Sequence, residues 1–209
     1  RGGSTKYLVE MLEEGLTDYI LDGQTFDLEG VRSMRENNGH VNTSPFTSYN
    51  WHGKGNFASM LDVVVLGATE VDVNFNANVV THSDGRLLHG IGGWQNCLFS
   101  KCTILPIPSF RKNIPIIVDN VTTLVGPGEL IDVVVTERGI AINPLRKDLI
   151  KTTKNSGLPI RRIEEIKEEV DDLIGGPPAK PELMDEVISV VKWVDGTVID
   201  SIFKIKDSK

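Results

Sequence analysis

The sequence predicts an α/β fold: an open mixed or parallel sheet flanked by helices, ending in a C-terminal β-hairpin. Three observations carry the class and the hairpin. Short β-branched runs alternate with helix-periodic segments along the whole length, as in Leu61 to Leu66 and Arg161 to Ile174. No period of about 20 to 50 residues recurs, so a repeat array is not expected. Asp195-Gly196 stands between two β-rich runs, the strongest short-range hairpin signal in the chain. With 209 residues, 40% of them apolar, the chain is long enough to bury a core without disulfide staples.

In chain order, Ser4 reads as an N-cap. Tyr7, Leu8, Met11 and Leu12 then fall at helical spacing before Gly15, which predicts a short amphipathic helix. A second helix is expected after Asp27, with Leu28, Val31 and Met34 on one face and an end near Asn37-Asn38-Gly39. Thr43 to Asn56 is polar, aromatic and glycine-containing, and reads as loop. The run Leu61 to Leu66, LDVVVL, is nearly all apolar and predicts a central strand covered on both faces. Past Gly67 the pattern alternates, Val71, Val73 and Phe75 against Glu70, Asp72 and Asn74, and predicts a half-exposed strand. His82-Ser83-Asp84-Gly85 marks a turn into Arg86 to His89, and the glycine cluster Gly90-Ile91-Gly92-Gly93 follows.

Further strands are expected at Thr103 to Leu105, Ile114 to Val118, Ile131 to Val135 and Ile140 to Ile142. The helix at Arg161 to Ile174 has an apolar stripe of Ile163, Ile166, Val170 and Leu173, six acids outward, and Gly175-Gly176-Pro177-Pro178 as its stop. Glu186 to Val194 and Thr197 to Ile205 form the closing hairpin. The expected organisation is one domain over residues 1–176, with 177–209 as linker and hairpin packed on it.

The formal charge is −7, with acids concentrated between Glu164 and Asp172 and no basic patch in view, so no nucleic-acid partner is expected. No apolar run approaches the ~20 residues of a membrane span, and Arg1-Gly2-Gly3-Ser4 lacks the parts of a signal peptide. Cys97 and Cys102 read as two reduced thiols, which points to the cytoplasm. A start without Met, opening directly on a glycine pair and a helix, is read as the inside of a longer protein or a processing point.

The glycine cluster at 90–93 has two readings. Its main-chain N–H groups can face a developing oxyanion or thioester carbonyl, or the residues serve a turn that needs positive φ. It is no dinucleotide fingerprint, because the third glycine is missing. Glu70 and Asp72 share a strand face and are either an acid/base pair or ordinary solvated acids. Glu137 and Arg138 precede Gly139 at a strand end, where a substrate crevice or a surface ion pair is expected. His40, placed in a loop, either meets a carboxylate substrate or is exposed to solvent. His40, His52, His82 and His89 show no metal spacing, so no metal is expected; no tightly bound cofactor is expected either.

Several segments together are similar to the citrate lyase α-subunit family of transferases. They are Gly2-Gly3-Ser4-Thr5 with Tyr7 to Leu16, Phe26-Asp27-Leu28, Leu61 to Asp72, Phe75-Asn76-Ala77-Asn78-Val79, Val135 to Pro144, and Asp195 to Asp200. The resemblance implies a fold of the CoA-transferase type in a subunit of two related halves, of which this chain is the second. It implies exchange of acetyl for citrate on a CoA or phosphopantetheine-type thioester, the co-substrate. The implied partners are the amino-terminal half of the same subunit, a lyase β subunit, an acyl-carrier γ subunit and a small carboxylate.

Related CoA-transferases carry a nucleophilic Glu near the point where Gly2-Gly3 stand. Its replacement implies direct attack by the substrate carboxylate through a mixed anhydride. On that footing Gly2, Gly3, Gly92 and Gly93 are the catalytic candidates, as main-chain donors. Ser4, His40, Glu70, Asn76, Asn78, Gly90 and Glu137 are the substrate-binding candidates. Trp94 and Asn96 stand where the family carries His and Asp. A non-catalytic assembly module of the same fold is the rival expectation, and a sugar-phosphate isomerase a more remote one.

Overall fold

A computed structural model describes residues 2–49, 57–176 and 182–206, and the chain divides into two compact units, Arg1–Met60 and Leu61–Lys209. His52 and the Pro177-Pro178 step lie outside the described residues. The division falls between Met60 and Leu61, where the sequence reading places no boundary.

The first unit alternates strand and helix: β1 (Gly2–Ser4), α1 (Lys6–Glu13), β2 (Ile20–Thr25), α2 (Leu28–Glu36), β3 (His40–Asn42) and α3 (Pro45–Tyr49). The helices are crossovers that make the sheet β1-β2-β3 parallel throughout. One carboxylate starts both long helices. Asp27 Oδ1 accepts the Gly30 N–H at 2.8 Å inside α2, and Oδ2 accepts the Lys6 N–H at 2.8 Å at the start of α1. Ser4 is therefore not the N-cap of α1; that position falls to Thr5, and Ser4 belongs to β1.

Helix α2 has the expected ends, but its apolar stripe faces outward. Leu28 is 84% and Val31 56% exposed, whereas Gly30 and Ser33 are buried. The helix lies close to the sheet, where a side chain on Gly30 would come within 2.5 Å of Thr25 Cγ2. The segment read as loop contains α3 because Ser44 supplies a cap, its Oγ accepting the Thr47 N–H at 3.2 Å, and Pro45 occupies the first helical position.

The second unit begins with β4 (Val63–Val65), β5 (Glu70–Asp72), β6 (Ala77–Asn78), α4 (Trp94–Cys97) and β7 (Cys102–Pro106). It continues with β8 (Phe110–Arg111), β9 (Ile114–Pro115), β10 (Ile117–Val118), β11 (Val133–Thr136) and β12 (Gly139–Ile142). Helices α5 (Lys147–Thr153) and α6 (Ile163–Ile174) and the hairpin β13 (Leu183–Lys192) and β14 (Val198–Ile205) complete it. A mixed sheet runs β12-β11-β7-β4, with β7 parallel to both β4 and β11, and a second runs β10-β5-β6. The α/β class and the closing hairpin are as expected.

Three strand expectations change. β4 is an edge strand, not a central one, and only Val64 of its three valines is buried. β5 is not half-exposed: Glu70, Val71 and Asp72 are all buried, because the polar face meets hydrogen-bond donors instead of water. Ile114 to Val118 is not one strand, since β9 pairs with β8 while β10 joins β5.

The core gathers Val71, Leu105, Ile117, Ile131, Val134 and Ile166 without any residual exposure. Ile163 and Val170 of α6 are buried as the stripe predicts, while Leu173 is 58% exposed near the stop at Gly175, which has φ +78°. Val191 and Ile202 carry the closing hairpin into the same core, and Asp200 Oδ2 accepts the Leu124 N–H at 2.6 Å. Among the described residues no helix is long and apolar enough to cross a membrane.

Candidate functional site

The first-unit candidates surround one buried carboxylate. Gly2 pairs with Asp22 and Gly3 with Gln24 across the β1–β2 ladder. Asp22 Oδ2 accepts the Ser4 hydroxyl at 2.6 Å and the Thr25 hydroxyl at 2.7 Å, and Oδ1 accepts the Gln24 N–H at 2.8 Å. His40 Nε2 stands 3.3 Å from the same Oδ2, and its Nδ1 is 2.9 Å from Ser33 Oγ. Burial pushes the Asp22 carboxyl up, but the hydroxyl, amide and imidazole partners outweigh it and hold the group below its ordinary value.

His40 is thus not a loop residue. It lies buried in β3, and the carboxylate it faces belongs to the chain itself. Gly3 has a packing reason to lack a side chain, because a Cβ there would stand 1.8 Å from Cε2 of the Phe26 ring.

In the second unit Glu70 is fully buried at the centre of a network. Its Oε2 accepts Asn78 Nδ2 at 3.0 Å and the Thr122 N–H at 2.7 Å, and Oε1 accepts the Thr122 hydroxyl at 3.0 Å. Asn78 Nδ2 also donates to Thr81 Oγ1 at 2.9 Å, while its Oδ1 accepts the N–H groups of Val80 and Thr81. Glu70 and Asp72 do not form an acid/base pair. Asp72 Oδ1 accepts the N–H groups of Asn74 and Asn76, each at 2.9 Å, and so closes the turn after β5. Asn76 pins that turn to the next segment, its Oδ1 accepting the Gly128 N–H at 2.9 Å.

Glu137 is clamped from the same end of the neighbouring strand β7, accepting the Ser109 N–H at 3.0 Å and a short bond from the Ser109 hydroxyl. Burial raises its carboxyl, and these donors with the nearby Arg138 bring it below the usual carboxylate range. Arg138 pairs with Glu169 at 2.6 Å, as does Arg161 at 2.5 Å, which ties the β11–β12 turn to α6.

The glycine loop at 90–93 remains open. Gly92 requires glycine for its φ of +60°, and a side chain on Gly90 or Gly92 would meet nothing within 4 Å. Gly93 leads into α4 as its N-cap. Trp94 is a packing residue: its ring lies against Gly126, and Nε1 donates to the Gly67 carbonyl at 2.9 Å.

One feature escaped the sequence reading. A pocket of about 270 Å³ opens beside the Glu70 network, between the turn at 82–86 and the β8–β9 hairpin. His82, Ser83, Asp84 and Arg86 line one side; Arg111, Ile114 and Ile116 line the other, with Thr69 beneath. Main-chain pairing brings these distant segments together. The Val71 N–H donates to the Ile116 carbonyl at 2.8 Å, and Thr81 bridges to Leu87 behind the turn. Thr69 Oγ1 ties the floor to the carbonyls of Asn78 and Thr81, each at 2.9 Å. Two arginines, 25 positions apart in sequence, line the pocket together with the Asp84 carboxylate.

The family model described as "Citrate lyase, alpha subunit (CitF)" matches residues 1–205. The citrate lyase alpha chain of Klebsiella pneumoniae is 40% identical over 208 residues, covering 99% of this chain and 41% of that protein. The corresponding chain of Escherichia coli is 39% identical over 207 residues, again 99% of this chain and 40% of its own length. The chain therefore spans about two fifths of the curated relatives it matches. A Streptococcus mutans crystal structure, described as the α subunit of citrate lyase in complex with citrate, superposes with a TM-score of 0.94 at 39% identity. It covers 99% of this chain and 41% of that one. RipA from Yersinia pestis, at TM-score 0.58, 12% identity and 83% coverage of this chain, shares the fold alone. A match that extends through both units, from β1 to the closing hairpin, places the chain in the citrate lyase α-subunit family.

Proposed function

We propose that the protein, as part of a complete α subunit, exchanges the acetyl group of a CoA or phosphopantetheine-type thioester for a citrate-like carboxylate. The observation that supports this reading is the match, over 99% of this chain and 41% of the other, to a solved relative described as a citrate complex. The anion pocket beside Glu70 supports it, because a small carboxylate needs cationic groups held on a rigid frame.

The chemistry uses two acyl transfers. An oxygen of the incoming carboxylate attacks the thioester carbonyl carbon, the C–S bond breaks and the thiolate leaves, giving a mixed anhydride. The thiolate then attacks the citryl carbonyl carbon of that anhydride. The bond from this carbon to the bridging oxygen breaks, and acetate departs with the oxygen that citrate supplied. No glutamate stands at Gly2-Gly3 to intercept the acyl group, so the substrate carboxylate is the nucleophile. The main chain of Gly92, where a side chain would meet nothing within 4 Å, and that of Gly93, the N-cap of α4, supply N–H donors to the tetrahedral oxyanion, a contribution of about 3 kcal/mol per donor in well-formed sites.

The expected partners are the remaining part of the α subunit, a lyase subunit and an acyl-carrier subunit in the cytoplasm. Full-length protein mixed with acetyl-CoA or acetyl carrier and citrate should release acetate in step with citryl thioester. Absence of acetate with citrate, citramalate and malonate alike sinks the reading and leaves an assembly module.

A further inference from the structure

The proposed function draws on the cationic lining of the pocket at the 82–86 turn, and two features of that lining carry a finer assignment. Its two arginines come from separate backbone segments, and among the described residues neither makes a close ion pair. Arg111, on β8, makes no ion pair or side-chain hydrogen bond among the described residues. Arg86 has only Asp84, 3.7 Å from its Nε, beyond hydrogen-bond distance. In a chain of net charge −7, two such guanidinium groups facing one concavity form a local reversal of the field.

We propose that this pocket selects small acids with at least two carboxylates, Arg86 taking one and Arg111 another, with the carbon skeleton against Ile114 and Ile116. A planar guanidinium matches a carboxylate through two parallel N–H···O bonds, so two arginines on different segments read two carboxylates separately. Acetate, with one carboxylate, satisfies half of the site. At about 270 Å³ the pocket lies below the range of about 300–1,000 Å³ typical for drug-sized ligands, a size that suits a small acid.

Asp84 sets the opposing tendency. Its carboxylate competes with the ligand for Arg86, while its Oδ1 also accepts the Arg86 N–H at 3.0 Å and shapes the turn. An asparagine there keeps the turn bond and removes the competing charge.

The identity of the acid rests on the transferase reading; the pocket does not. Calorimetric titration of the full-length subunit with citrate, tricarballylate, acetate, inorganic phosphate and CoA separates the sources of negative charge. Citrate and tricarballylate should bind, and acetate and phosphate should not compete at the same concentrations. Arg86→Gln and Arg111→Gln should each weaken citrate binding at least tenfold with unchanged thermal unfolding, since both side chains lie on the surface. Asp84→Asn should tighten it a few-fold, an effect that a merely structural role would not give. Wild-type citrate affinity in both arginine variants overturns the proposal, and so does displacement of citrate by inorganic phosphate. If acetate release fails but Arg111-dependent citrate binding persists, the transferase reading falls and the pocket stands. Acetate release by Arg111→Gln at the wild-type KM for citrate refutes the pocket and spares the transferase.

Discussion

At the scale of single residues, the chain uses carboxylates as joints. Asp22 holds three side chains and a main-chain amide, and Asp27 starts two helices. Because the folded Asp22 carboxyl titrates below its unfolded value of about 3.9, its contribution is complete above that pH and disappears as acidification approaches the lower folded value. Asp22→Asn should cost about 1–3 kcal/mol at pH 7 by leaving buried donors less well matched. Urea unfolding at pH 7 and pH 3 should show the gap to wild type narrowing in acid; a constant gap would mean that the charge of Asp22 is unimportant.

Glycines make a second residue-scale contrast. A Cβ on Gly128 would stand 2.0 Å from the Asn74 carbonyl oxygen, and backbone cannot step aside. The obstacle at Gly3 is the Phe26 ring, 62% exposed and able to swing away. Gly128→Ala should therefore lose about 3 kcal/mol, and Gly3→Ala less than about 1 kcal/mol, in the same denaturation assay.

At the scale of elements, legibility followed how directly a pattern reports its surroundings. Helix α6 was readable because Ile163, Ile166 and Val170 repeat at helical spacing between polar residues, and the closing hairpin because Asp195-Gly196 dictates its turn, with Gly196 at φ +93°. The three strands of the first unit were not. β1 and β3 have three residues each, and β2 carries Asp22 and Gln24, which look solvated until Ser4, Thr25 and His40 are known to converge there.

β4 fails in the opposite direction. Val63 and Val65 are as apolar as a central strand requires, yet they are 51% and 62% exposed. Periodicity reports what a residue prefers, not what covers it. The same caution applies at the end of α6. Ile166→Ala, which removes a fully buried side chain, should cost about 2–5 kcal/mol, whereas Leu173→Ala should change stability by less than about 1 kcal/mol. Equal losses from urea melts of the two variants would show that the stripe is buried along its whole length.

At the scale of the molecule, the two units divide the sequence-predicted candidates: Gly2, Gly3, Ser4 and His40 lie in one, and Glu70, Asn76, Asn78, Gly90, Gly92, Gly93 and Glu137 in the other. Most polar members of the set are committed to holding the fold. Ser4 and His40 bind Asp22, Asn78 binds Glu70, Asn76 binds Gly128 and Asp72, and Glu137 binds Ser109. The resemblance identified the family because it draws on many segments at once. The pocket at the 82–86 turn was invisible because Arg86 and Arg111 share no motif, and the pairing of β10 with β5 brings their segments together.

The claim that joins these levels is that a carboxylate of the substrate itself attacks the thioester. A single turnover of full-length protein with acetyl-CoA and citrate labelled with ¹⁸O in its carboxylates tests it most directly. Direct transfer predicts that acetate from the first turnover carries one labelled oxygen. Unlabelled acetate in that turnover, with label appearing only in later ones, would place a carboxylate of the protein between the two substrates and contradict the account.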